Sequence, residues 1–343
     1  MQAKRLVAAL VAATPLFAAA QSNVTLYGIL DAAISSQDTG GPEGRTTVVN
    51  SGNQSSSRFG FKGSEDLGNG LKAIFNLEAG ASIDTGAADS NLFQRRAVVG
   101  LEGDFGAITL GREYSPIASV AAATDAFGQG FYGSNLSAFT TNRLTRRMNN
   151  SVSYKSASFG GLKLLAAYAA GEAKTATTPN VPNGDLKGVG LEYTLGGLYV
   201  GGAYHTIKRL ATDDDKESTI GAAYKFDQLG GFELKGNWMQ ADRAGTPAKY
   251  KQYNLGGSMP FGMHRVYANF QQQKQGDAKG NTWALAYTYS LSKRTNLYAS
   301  YADLDNNRIS VFGLTSSSVT IAPPATSLGA DPKVLSLGVR HTF

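Results

Sequence analysis

The last eleven residues, Lys333 to Phe343, constrain the fold of this chain more than any other stretch. They read K-V-L-S-L-G-V-R-H-T-F. Leu335, Leu337, Val339, His341 and Phe343 share one face of an extended strand, and Ser336, Gly338, Arg340 and Thr342 share the other. Period-two alternation running to a terminal aromatic is what a strand between lipid and a wet lumen requires. Apolar side chains face out, polar ones face in, and an aromatic sits at interface level. A soluble sandwich or propeller also alternates, but it buries its apolar face and keeps its loops of similar length.

The start of the chain fits export. Lys4 and Arg5 precede an apolar run from Leu6 to Phe17, and Ala18-Ala19-Ala20 precede Gln21. This is the pattern of a secretory leader cut after Ala20, which would leave residues 21–343 as a single membrane-spanning domain. The competing reading is an uncleaved anchor. The run is short for a span, however, and Pro15 interrupts it. Beyond residue 20 no apolar stretch has spanning length, so any bilayer crossing falls to strands.

Composition narrows the class. The chain has no Cys, which excludes a disulfide scaffold and thiol chemistry. Glycine is abundant at 41, and Tyr outnumbers Trp 16 to 2. The mean hydropathy of −0.20 suits a barrel, because lumen and loop residues dilute the lipid face. The formal net charge is +6, of which the leader's Lys4 and Arg5 supply two. The bases are dispersed along an exported chain, so no nucleic-acid partner is expected.

Short glycine- and aspartate-rich turns recur at 65–70, 103–106, 158–161, 195–197, 226–231, 260–263 and 290–294. Between them lie longer polar segments at 36–56, 84–91, 115–148, 172–186, 209–216, 242–249, 275–280 and 304–332. Strict alternation of about seven short turns with about eight long loops predicts about 16 antiparallel strands, with both ends on the short-turn side. Lipid-type alternation is explicit in 189–195 (Val189, Leu191, Tyr193, Leu195), 232–238 (Phe232, Leu234, Trp238) and 283–291 (Trp283, Leu285, Tyr287, Tyr289, Leu291). Aromatics gather near strand ends, as an interfacial girdle requires.

Several segments carry a family resemblance: N-V-T-L-Y-G-I-L-D-A (23–32), S-S-S-R-F-G-F-K-G-S-E-D-L-G-N-G-L-K-A (55–73), F-Q-R-R-A-V-V-G-L (93–101), G-R-E-Y (111–114), N-N-S-V-S-Y (149–154) and G-V-R-H-T-F (338–343). Together they resemble the general-diffusion porins of Gram-negative outer membranes, most of all those of β-proteobacteria, over the whole mature chain. The resemblance implies an outer-membrane barrel of 16 strands, a homotrimer among outer-membrane lipid and lipopolysaccharide, and a third outer loop folded into the lumen. It also implies passive diffusion of small hydrophilic solutes and anions, with no cofactor.

The segment 115–148 lies between the fifth and sixth predicted strands. It shows no helix signal and carries Phe127, Phe131, Tyr132 and Phe139, more aromatics than a disordered surface loop would hold. It is expected to fold inward and form the pore constriction. Asp125 is its one acid, against Arg143, Arg146 and Arg147. On the wall, Arg58 and Lys62 share a face opposite Phe59 and Phe61, which puts both in the lumen. Arg95 and Arg96 are adjacent, so alternation sends one in and one out without saying which. The resemblance implies a basic ladder at Arg58, Arg95 and Arg147, facing an acidic loop. Here that loop is sparse, with Asp125 its best match, so a balanced field is in doubt. Arginines across a low-dielectric neck concentrate anions and do not titrate away, which predicts anion preference. The alternative is that they brace the wall by pairing with Asp31, Glu78, Glu102 or Glu113.

Other motifs read blandly. G-Q-G-F-Y-G (128–133) follows no strand–helix unit, so it does not mark a dinucleotide site. His205, His264 and His341 lack partners at ligand spacing, so no metal site is expected. Asp213-Asp214-Asp215-Lys216-Glu217 reads as a solvated loop tip, with cation binding or a bridge to lipopolysaccharide as alternatives. Two other functions compete with a channel. One is a barrel enzyme such as an outer-membrane phospholipase, for which His264 would be the sole mid-strand histidine facing lipid and no serine partner can be named. The other is an adhesive barrel acting through its loops. No catalytic residue is expected.

Overall fold

The computed structural model describes residues 23–140, 143–172, 183–210 and 212–343. The predicted leader lies outside these residues. The first half of the chain forms β1 (Asn23–Asp38), β2 (Arg45–Ser51), β3 (Arg58–Gly68), β4 (Leu71–Gly80), β5 (Arg96–Gly103), β6 (Gly106–Tyr114), β7 (Arg147–Ser156) and β8 (Leu162–Ala169). The second half continues with β9 (Leu186–Leu195), β10 (Leu198–Ile207), β11 (Asp215–Phe226), β12 (Phe232–Asp242), β13 (Tyr250–Phe261), β14 (His264–Gln275), β15 (Ala278–Ser290) and β16 (Thr295–Asn306). A small loop hairpin, β17 (Leu314–Thr315) with β18 (Thr320–Ile321), precedes the last strand, β19 (Lys333–Thr342).

The barrel strands pair antiparallel with their neighbours, and β19 closes on β1 from Ile29–Thr342 to Asp38–Lys333. β1 pairs with β2 along Ala32–Asp38 and with β3 along Asn23–Ile29. The two short strands are therefore one staggered position, interrupted at 52–57, and the closed sheet has sixteen positions. Closure satisfies every edge, which a sheet in hydrocarbon must do.

Alternation sorts the side chains as the C-terminal strand predicts. Leu335, Leu337, Val339 and Phe343 are exposed on the outer surface, while Ser336 is fully buried on the other face. Trp283 and Leu285 are exposed, whereas Thr282, Ala284 and Ala286 are buried. Aromatics stack near the ends of this apolar band. Phe226 packs on Phe232 and Phe270 on Trp283, and His264 lies between Phe261, Tyr287 and Tyr289. The His264 Nδ1 shares a hydrogen with the Tyr287 hydroxyl at 2.6 Å, so this histidine belongs to a girdle. Leu285 sits mid-strand on the outer face. Leu285→Arg is expected to destabilise the folded barrel by about 2–4 kcal/mol in lipid, read as a shift in a denaturant titration from vesicles.

Three connections differ from expectation. The polar segment 275–280 is a two-residue turn at Gly276 and Asp277, because Gln275 and Ala278 are the last rungs of a hairpin. Its Lys279 imitates a loop residue although it lies in β15. Segment 36–56 likewise continues as β1 and β2 with a tight turn between them. The acidic run 213–217 is only half loop. β11 begins at Asp215, and both Asp215 and Glu217 are buried on the lumen face.

Candidate pore constriction

The segment between β6 and β7 folds inside the barrel. It opens on a short helix, α1 (Pro116–Ala123), which the sequence reading missed. The signals are plain in retrospect. The Ser115 hydroxyl accepts from the Ala118 N–H, Pro116 starts the first turn, and Ile117, Ala118, Val120 and Ala121 bury one face. The helix lies against β9, β10 and β11. Beyond it the loop runs along the wall past β12, whose Asn237 donates to the Thr124 carbonyl, to β13 and β14. Asn269 and Gln271 donate to the carbonyls of Gly133 and Ser134, and Gln252 donates to that of Asn135.

The loop tip seats in the interruption between β2 and β3. Phe131 N–H donates to the Asn53 carbonyl at 2.6 Å, and the Tyr132 hydroxyl donates to Asn53 Oδ1 at 3.2 Å. Asp31 shapes that seat by accepting from the N–H groups of Asn53 and Ser55 and from the Tyr298 hydroxyl. Phe131 meets Phe127, Tyr267 and Tyr298 with ring centroids 5.5–5.8 Å apart. Gln129 and Phe131 hold positive φ angles of 59° and 46°. Such geometry costs of order 1–3 kcal/mol each and is held here by aromatic burial.

Asp125 corrects its predicted placement. It has no exposure, and its oxygens accept from the N–H groups of Gln129 and Asn135. Burial pushes its carboxyl up to about 6 against those hydrogen bonds. A carboxylate enclosed in the loop's own backbone organises the loop and presents nothing to solutes. Arg143 is also apart from the other arginines. Its guanidinium lies over Tyr250 at 4.3 Å and Phe312 at 5.4 Å, and its Nη1 donates to Gln273.

Arg58, Arg95, Arg146 and Arg147 come together. Glu78 pairs with Arg95 at 2.8 Å and with Arg58 at 3.3 Å. Arg147 donates to the Tyr114 hydroxyl at 2.8 Å and lies over that ring at 4.6 Å. Arg146 reaches the same ring and donates to Gln129. Burial first, then the neighbouring Arg147, Arg95 and Arg58 charges, pull Arg146 down to about 9, which leaves it a cation at neutral pH. The Nε atoms of Arg58, Arg146 and Arg147 are buried without a hydrogen-bond partner. Lys62 lies along the same wall, its ammonium 5.3 Å from the centre of the Tyr27 ring.

Alternation misleads at the Arg95–Arg96 pair. Arg95 precedes the first residue of β5, so no strand geometry binds it, and it reaches Glu78. Arg96 binds Glu113. Both therefore engage carboxylates. The bracing role is real for Glu78 and Glu113, yet it leaves the four-arginine cluster short of negative charge. Among the described residues, Glu78 is the one carboxylate ion-paired to that cluster.

A second feature had no sequence signal. His205 and Glu217 face each other across β10 and β11 and are fully buried. Glu217 accepts from the Thr145 N–H and hydroxyl at 2.9 and 2.8 Å and pairs with Arg243 at 2.9 Å. The Ile117 N–H points to His205 Nε2 at 3.3 Å, which places the ring proton on Nδ1, toward Glu217. One wall pair thus holds both stems of the inward loop. Only the register of β10 with β11 reveals it.

Comparisons with known proteins agree with this architecture. The sequence profile of a Gram-negative porin family matches residues 7–308. The chain is 34% identical to outer membrane porin protein 32 of Delftia acidovorans, over 99% of both chains. It is 30% identical to an outer membrane porin protein of Bordetella pertussis, over 88% of this chain and 94% of the relative. The solved anion-selective porin from Comamonas acidovorans superposes with a TM-score of 0.83 at 30% identity, over 94% of this chain and all of that one. OmpT of Vibrio cholerae, solved in its trimer form, shares the fold with a TM-score of 0.69 at 17% identity, over 94% of this chain and 99% of that one. A closed sixteen-position barrel with an inward third loop, and relatives matched end to end, place this chain in the Gram-negative porin family of the outer membrane.

Proposed function

We propose that this barrel is a passive channel for small hydrophilic solutes and ions, and that Arg58, Arg95, Arg146 and Arg147 give it anion preference. The observation that carries the reading is the meeting of four guanidinium groups beside the inward loop with Glu78 as their ion-paired carboxylate. In a narrow wet passage with low-dielectric walls, that surplus raises the local anion concentration. Lys62 adds charge along the same wall. Arg143 and Asp125 are not part of this neck. The cleavable leader, a homotrimer and contact with lipopolysaccharide complete the proposal, supported by the family and by the outward apolar band.

The test is refolded protein in a planar bilayer under a KCl gradient. Stepwise conductance with a reversal potential on the anion side is expected. The preference should stay flat from pH 5 to pH 8, because guanidinium keeps its proton there. A cation-side potential, or a preference that halves across that range, would refute the arginine neck.

A further inference from the structure

A second group of arginines lies at the long-loop mouth, on the lumen side of β10 to β13. Arg143, Arg209 and Arg243 border a cavity of about 750 Å³ whose other walls include Thr145, Thr246 and Tyr250. We propose that this cavity is an anion site distinct from the neck, shaped for a carboxylate or phosphate oxyanion, where solutes dock before the constriction. The proposal rests on the channel reading and deepens it.

The arrangement is built. Asp215 is almost fully buried and divides its oxygens among fixed partners. Its Oδ2 accepts from Arg209 Nε and from Arg243 Nη1, each at 2.8 Å, and its Oδ1 accepts from the Ala244 N–H at 2.8 Å. One carboxylate oxygen, which also accepts from Arg209 Nη2 at 2.5 Å, therefore fixes two guanidinium groups side by side at the cavity wall. Arg243 is held from behind by Glu217 and by the Arg143 carbonyl, and it keeps a buried Nε with no partner. The Arg143 guanidinium is clamped over Tyr250, so its position is set without an acid. Among the described residues, three guanidinium groups and one carboxylate border the space. Glu217 behind it is shared between Arg243 and His205.

This geometry selects for ligand shape. Guanidinium is a planar fork that matches two oxygens of a carboxylate or phosphate, whereas a halide uses one donor direction at a time. Preorganised forks lose little entropy on binding. The volume lies within the usual range of about 300–1,000 Å³ for small-molecule sites. The neck is a separate place. Its arginines gather on Tyr114 and Glu78, and Arg146 donates to Gln129 rather than toward this cavity.

The experiment uses the native protein in a planar bilayer, with chloride as the carrier of current. Inorganic phosphate, and separately succinate, is added to each side in turn. Block of the chloride current at millimolar concentration from one side only is expected, and whichever probe blocks at lower concentration identifies the preferred oxyanion. Arg209→Glu should raise the half-blocking concentration by about tenfold or more while barely moving the KCl reversal potential. Ala248→Asp, which adds a carboxylate to the cavity wall and leaves the Asp215 pairs intact, should do the same. Arg58→Glu should shift the reversal potential and leave the block nearly unchanged. Absence of one-sided block, or block unaffected by both cavity variants, overturns the site. Loss of all conductance in the native protein would instead refute the channel reading beneath it.

Discussion

Arg147→Glu is expected to move the KCl reversal potential from the anion side toward the cation side, with chloride entry into the neck lowered roughly thirtyfold and potassium entry raised by a similar factor. Arg147 is fixed by its hydrogen bond to Tyr114 and by stacking on that ring, so its charge stays in the passage. An ion passing about 5 Å away, at an effective dielectric constant of about 60 for a wet neck, feels roughly 1 kcal/mol per unit charge. Charge reversal changes two units, or about 2 kcal/mol, which corresponds to the stated factor for each ion, against chloride and in favour of potassium. The effect should shrink in molar salt, where the Debye length falls to about 3 Å. Arg58→Glu should act in the same direction, more weakly, because Arg58 already shares Glu78 with Arg95. Unchanged selectivity in both variants would show that the ions pass elsewhere.

Glu217→Ala is expected to destabilise the barrel by about 3–5 kcal/mol and to loosen the inward loop. The deletion removes one of the two carboxylates that hold Arg243, leaving Asp215, and strips the Thr145 N–H and hydroxyl and the His205 ring of their acceptor. Several buried donors left without an acceptor, together with half of a buried ion-pair network lost, are the costly part of such a change. Two readouts separate the consequences. Denaturant titration reports the stability loss, and single-channel recording should show larger open-channel noise as the loop's returning stem detaches. Glu217→Gln keeps an acceptor for Thr145 and should be quieter than the alanine variant. A Glu217→Ala channel that is as stable and as quiet as the parent would mean the loop is held by its aromatic tip alone.

Much of the fold was readable because barrel architecture is written in local periods. Leu335, Leu337 and Val339 alternate with Ser336 and Gly338 whatever the distant partners are, and each short Gly/Asp turn reverses the chain by itself. The misreadings have equally local causes. Lys279 looks like a loop residue beside Gly276 and Asp277, although its strand runs past the apolar band. The Ser-Pro start of α1 is overshadowed by the alanines and glycines around it. Arg95 lies outside a strand by one residue, where alternation has no authority.

The site was legible only in its residue types. The sequence reading named Arg58, Arg95, Arg146 and Arg147 for an anion-attracting neck, but it set Arg143 and Asp125 beside them. Arg143 and Arg146 are three residues apart, yet one lies over Tyr250 and the other beside Tyr114. Asp125 reads as the natural counter-charge, yet the loop folds its own N–H groups around it. His205 and Glu217 carry no motif at all, because their pairing depends on how two strands align.

The sequence by itself determined the closed sheet and its outward apolar face, since each follows from interactions between near neighbours in the chain. Tertiary structure alone decided which charges meet. The path of the inward loop, the seat made by the break at 52–57 and the register between β10 and β11 are long-range outcomes. A carboxylate's role is set by what surrounds it, and those surroundings come from strands far apart in the sequence.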